Sequence, residues 1–93
     1  MAYRVILSPA AERQLGRLRG ANQVALRGLI LSLGDEPSPP GAVKLVGMPN
    51  VWRVRARVDS RPWRIIYRID EARGEIVVAR IAARDERTYR DLK

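Results

Sequence analysis

The sequence predicts an α+β fold: an N-terminal strand, a helical hairpin, then an antiparallel three-stranded meander and a short C-terminal helix, in the order β-α-α-β-β-β-α. The helices are expected to pack on one sheet face. Three observations carry this expectation. "YRVIL" (3–7) is a β-type run closed by "SP", residues 9–33 hold apolar side chains at helical spacing, and residues 51–82 divide into three β-type runs separated by short polar turns. Strands and helices that are segregated along the chain, rather than alternating, make an α+β arrangement.

Each element has a local cause. Ser8 is a good helix N-cap and Pro9 sits at the first helical position, where its missing N–H costs nothing. Ala11, Leu15 and Leu18 then recur at helical spacing, and the helix should end near Gly20. A second helix fits from about Asn22 to Leu33, with Leu26, Leu29, Ile30 and Leu33 on one side. "GDEPSPPG" (34–41) holds three prolines and two glycines in eight residues, so no regular element survives there. After "VKLVGMPN" come strands at about Val51–Val58, Trp63–Ile69 and Glu75–Ala82. The joints "DSRP" and "DEARG" are short enough for antiparallel hairpins. The tail "RDERTYRDL" is polar with helical potential. Ninety-three residues leave little room for a second core, so residues 1–93 are expected to form a single domain.

Charge is the strongest compositional signal. Lys+Arg number 18 against 10 Asp+Glu, a formal net charge of +8, and Lys44 and Lys93 are the only lysines among the bases. Arginine presents a planar fork that binds phosphate bidentately, which lysine does not. A small basic domain points to nucleic acid, an anionic membrane or an acidic protein partner. The chain has no cysteine and no histidine, which excludes disulfides, thiolate metal sites and the usual zinc ligand, so neither a metal nor another cofactor is expected. "MAYRVILSPA" contains no apolar stretch of signal-peptide length, and no run approaches the ~20 apolar residues of a membrane span, so a cytosolic protein is expected. No amphipathic helix joins a basic face to an aromatic one, which argues against membrane binding.

Successive side chains of a strand point to opposite faces. Arg53, Arg55 and Arg57 therefore share one face, and Trp52, Val54, Ala56 and Val58 the other. In the next run Trp63, Ile65, Tyr67 and Ile69 form an apolar face, with Arg64 and Arg68 flanking Ile66 opposite. If both apolar faces meet the helices, the arginines lie together on the open face, where Arg80 and Arg84 can join them; Arg61 is placed in the turn. Like charges opposite each other across a hairpin repel, so a face designed for stability alone would interleave acids. A surface of one sign is what phosphate binding requires. Trp52, Trp63 and Tyr67 are expected to pack in the core, whereas Tyr89, beside Arg87 and Arg90 in the polar tail, is not.

These residues also carry a resemblance. "YRVILSPAAERQLGRL", "VKLVGMPNVWRVRAR", "RPWRIIYRID" and "RIAARDERTYRDL", which together cover nearly the whole chain, resemble the RelE/ParE toxin superfamily of type II toxin–antitoxin modules, and within it the RelE-type mRNA endonucleases. The resemblance implies a ribosome-dependent endoribonuclease that cleaves mRNA in the ribosomal A site by attack of a 2′-OH on the adjacent phosphate, inhibits translation, and is held inactive by a cognate antitoxin. It implies a catalytic set of Arg53, Arg55, Arg64, Arg84 and Tyr89; beside that set, Lys44, Arg57, Arg68, Arg80 and Arg87 are expected to bind RNA. RelE-type members carry lysines at the positions of Arg53 and Arg55, one of them proposed as general base, and arginine is a poor proton acceptor. The general base is therefore unassigned. Two other readings stay open: a ParE-like inhibitor of DNA gyrase without nuclease activity, and an RNA-binding homologue with little or no turnover.

Overall fold

The computed structural model describes residues 2–58 and 61–83. Its elements are β1 (Arg4–Leu7), α1 (Pro9–Gly16), α2 (Gly20–Ser32), β2 (Val43–Lys44), β3 (Val51–Val58), β4 (Arg61–Asp70) and β5 (Glu75–Ala83). The α+β class is as expected, and the sheet is larger than a three-stranded meander. Its five strands run in the order β1-β5-β4-β3-β2. β1 pairs parallel to β5 through Arg4↔Glu75 to Leu7↔Val78, and β2 adds a two-residue antiparallel edge to β3. The expected C-terminal helix lies outside the described residues.

The helices begin and end for visible reasons. The Ser8 hydroxyl accepts the Ala11 N–H at 3.1 Å and caps α1. At the other end, the Gln23 side chain donates to the carbonyls of Leu15 (3.3 Å) and Leu18 (3.1 Å), so α2 satisfies the last turn of α1. α1 thus stops at Gly16, earlier than its apolar spacing suggests. Gly20, with φ of 60°, turns the chain into α2 two residues ahead of the expected start at Asn22.

One face of the sheet meets the hairpin. Ala11, Leu15, Leu26, Ile30 and Leu33 pack on Val54, Ala56, Ile65, Tyr67, Ile76, Val78 and Ile81, all buried. Trp63 is buried as expected, but Trp52 is only half-buried. Tyr67 is fully buried, and its hydroxyl donates to the Pro37 carbonyl at 2.6 Å, fixing the proline-rich segment to the sheet. Burial pushes the Tyr67 phenol up to about 12. Gly34 closes this region from the other side: its carbonyl accepts the Tyr3 N–H at 2.7 Å, and a Cβ on it would sit 2.6 Å from the Tyr3 carbonyl oxygen.

Where β1 ends, α1 takes over the edge of β5. The Ser8 N–H donates to the Val78 carbonyl (2.9 Å), the Ser8 hydroxyl donates to the Ala79 carbonyl (2.8 Å), and the Gln14 Oε1 accepts the Ile81 N–H (2.7 Å). These contacts clamp β5 at the point where its pairing with β4 slips.

Candidate functional site

The slip decides where Arg80 points. Ile66 pairs with Arg80 but Tyr67 pairs with Val78, which leaves Ala79 as the extra residue of a β-bulge. Counting by twos from the buried Ile76 and Val78 would send Arg80 into the core. The bulge resets the phase, so Ile81 is buried and Arg80 is exposed on the open face.

The open face is laid out in rows by the strand register. Arg57 lies opposite Pro62. The next row reads Arg55–Arg64–Ala82, and the one after it Arg53–Ile66–Arg80. Then comes Val51–Arg68–Val77, and the face ends on Asp70–Glu75–Arg4. Arg55 and Arg64 are direct cross-strand partners, a placement that brings their Cβ atoms to about 5 Å and costs stability through repulsion. The acids of these rows are confined to the last one, where each has a basic neighbour: Arg4 to Glu75 at 3.0 Å and Arg68 to Asp70 at 3.6 Å.

The arginines are not simply extended into solvent. Arg53 and Arg64 are part-buried and their Nε atoms are shielded from water, whereas Arg55, Arg57, Arg68 and Arg80 are exposed. Shielding restricts a guanidinium and lowers the local dielectric around it, which strengthens its attraction for an anion. Ile66, half-buried between Arg53 and Arg80, and Val43, beside Arg53, add apolar ground among the charges. The face can therefore hold phosphates on its forks and sugar or base surface between them.

The expected site residues divide by position. Arg53, Arg55, Arg57, Arg64, Arg68 and Arg80 come together on one face. Lys44 does not join them. It pairs with Trp52, in the row that continues to the buried Tyr67, and so belongs to the opposite, helix-bearing face. Arg61 is the first residue of β4 rather than part of the turn, and its guanidinium lies 5.6 Å from the centre of the Trp63 ring. Arg84, Arg87 and Tyr89 lie outside the described residues. Among the described residues no group of His, Cys, Asp and Glu is placed to hold a metal ion. None of their helices is long and apolar enough to cross a membrane.

A five-stranded sheet with a helical hairpin packed on one face is also the fold of solved RelE toxins. A free-state mutant of the Escherichia coli toxin RelE superposes with a TM-score of 0.74 at 19% identity, covering 96% of this chain and 90% of that one. The RelBE2 toxin–antitoxin complex of Mycobacterium tuberculosis also gives 0.74, at 23% identity with 90% and 100% covered. The archaeal RelE–RelB complex of Pyrococcus horikoshii gives 0.71 at 25% identity, with 92% and 99% covered. No curated protein sequence matches the chain. The profile of the ParE toxin of the type II toxin–antitoxin system parDE matches residues 5–88, and the chain belongs to that toxin family.

Proposed function

We propose that this toxin is a ribosome-dependent endoribonuclease that cleaves mRNA in the A site and so blocks translation in the cytoplasm. The observation that carries the reading is the Arg55–Arg64 pair with Arg53 and Arg80 in the adjacent row, a concentration of like charge suited to a phosphate. In the reaction the 2′-oxygen attacks the adjacent phosphorus and the bond to the 5′-oxygen breaks. The products are a 2′,3′-cyclic phosphate and a free 5′-hydroxyl. Negative charge grows on the non-bridging oxygens during attack, and guanidinium forks already placed there stabilise it. Arg53, Arg55 and Arg64 take this role, with Arg84 and Tyr89 completing the catalytic set. Arg57, Arg68, Arg80 and Arg87 hold the flanking strand. Arginine donates but does not accept protons, so the 2′-OH proton leaves to a group other than Arg53 or Arg55.

The solved relatives include complexes of RelE with RelB. By that likeness the partner of this chain is a cognate antitoxin, with acidic side chains set against the arginine face. A second reading, inhibition of DNA gyrase without RNA cleavage, is favoured by the ParE family match and by arginine at both positions where RelE-type enzymes carry lysine.

Tightly controlled expression separates the two. Primer extension on cellular mRNA should find new codon-phased 5′ ends that vanish in Arg64→Ala. Toxicity with intact mRNA and gyrase-linked DNA breaks would replace the first reading with the second.

A further inference from the structure

A cavity of about 330 Å³ opens on the helix-bearing side of the sheet, away from the arginine array. Tyr3, Trp52 and Ile69 line it with apolar surface, and the exposed Lys44, Asn50 and Glu71 line it with polar groups. Its size suits one small ligand. Its walls are pinned before any ligand arrives. The Asn50 carbonyl accepts the Ile69 N–H at 2.9 Å, the Tyr3 N–H donates to Gly34 at 2.7 Å, and Pro37, which also lines the cavity, receives the Tyr67 hydroxyl at 2.6 Å. Pre-formed walls spare a ligand the cost of ordering them.

Two half-buried aromatic side chains beside an apolar floor suit a flat ring. The polar groups narrow the choice. The Glu71 carboxylate offers acceptors, and a carboxylate pairs best with two adjacent donors. Guanine presents such a pair, its N1–H and its exocyclic N2–H. Adenine and cytosine each set an acceptor beside their amino group, and uracil flanks its single N–H with two carbonyls. Lys44, an exposed lining residue on the same face as Trp52, is then available to a phosphate.

We infer that this cavity is a guanine-nucleotide site, with the base held against Trp52 and Tyr3, its N1–H and N2–H donating to Glu71, and its phosphate met by Lys44. The site explains why Lys44, the one lysine among the described residues, sits apart from the arginine face, and it stands whether or not the toxin is a nuclease.

Isothermal titration calorimetry on the full chain tests it, using guanosine as the first probe because it has no phosphate to engage the arginine face. Guanosine should bind at a single saturable site, with adenosine and cytidine weaker by about tenfold or more, the discrimination of one bidentate base contact. Trp52→Phe should keep binding and Trp52→Ala should weaken it about tenfold, as removal of one stacking platform does. Glu71→Gln, a change at an exposed turn residue, should abolish the preference for guanosine. Lys44→Ala should weaken GMP but not guanosine, and Arg64→Ala should leave guanosine binding as it is. Absence of saturable guanosine binding, equal affinity for adenosine, or affinities indifferent to both Glu71→Gln and Trp52→Ala would each overturn the assignment.

Discussion

Gln14 on α1 accepts the backbone N–H of Ile81 on β5 at 2.7 Å, across 67 positions of sequence. The contact falls just after the β-bulge, where β1 has ended and no strand among the described residues pairs with that edge of β5. It therefore replaces a ladder hydrogen bond and holds the turn of phase that puts Arg80 outward. Gln14→Leu leaves a part-buried N–H without its acceptor and should destabilise the fold by about 1–3 kcal/mol, whereas Gln14→Glu, which keeps an acceptor at the same reach, should cost less. Urea unfolding measures the loss. Amide exchange gives the local signature, with the Ile81 N–H exchanging faster in Gln14→Leu than its neighbours do.

Gly34 and Tyr3 approach too closely for any side chain at position 34. A Cβ there would lie 2.6 Å from the Tyr3 carbonyl oxygen and 3.2 Å from a Val5 methyl, and the first contact is with backbone that cannot swing away. Gly34→Ala should therefore cost about 1–3 kcal/mol, the usual penalty of overpacking. Gly28, whose Cβ would meet nothing within 4 Å and which lies inside α2, is the control: Gly28→Ala should stabilise the protein by about 0.5–1 kcal/mol through helix propensity. Equal midpoints for the two alanine variants in a thermal melt would refute the contact argument.

Much of this architecture is legible in the sequence, and the exceptions share a cause. The strand Val51–Val58 has the bounds that alternation predicts, and Ser8-Pro9 announces the start of α1. The parallel pairing of β1 with β5 is not legible, because it joins segments some 70 residues apart through tertiary packing alone. β2 is too short for its two residues to show a period. The same limit governs the site. Arg53, Arg55, Arg57, Arg64 and Arg68 follow from alternation within one strand. The side taken by Lys44 depends on how β2 registers on β3, and the side taken by Arg80 depends on a bulge. The phase conflict was nonetheless present in "IVVARI", where Ile76 and Val78 demand one parity and Ile81 the other.

Tyr67 links stability to alkaline pH. Its phenol is pushed up to about 12 by burial, against an unfolded value near 10. Between these values the unfolded chain has released this proton while the folded chain still holds it. The folded state binds more protons, so stability falls as pH rises through that window, and below pH 10 the contribution is fully present. Tyr67→Phe removes the titration, so its stability should fall less steeply from pH 10 to 12 than that of the parent. At neutral pH the variant should lose about 1 kcal/mol, since the Pro37 carbonyl loses its donor. Urea midpoints of both proteins at pH 7, 10 and 11.5 decide the matter; parallel pH profiles would mean that Tyr67 does not titrate with folding.

The arginine face makes a quantitative claim about RNA. Each arginine that neutralises a phosphate releases counterions, so the slope of log affinity against log salt should fall by about 0.7 for every phosphate contact removed from a single strand. Arg55→Ala and Arg64→Ala lie in one row and face each other directly. Each should weaken binding of a short unstructured RNA and flatten its salt dependence by about one contact. The double variant should flatten it by less than the sum if both forks grip the same phosphate, and by the full sum if they grip neighbours. Lys44→Ala, on the other side of the sheet, should leave the slope for such an RNA unchanged when the sequence contains no guanine. Fluorescence anisotropy across ~50–300 mM salt reads all four variants against the parent, and a slope that drops as much for Lys44→Ala as for Arg55→Ala would show that the strand does not run over the arginine face.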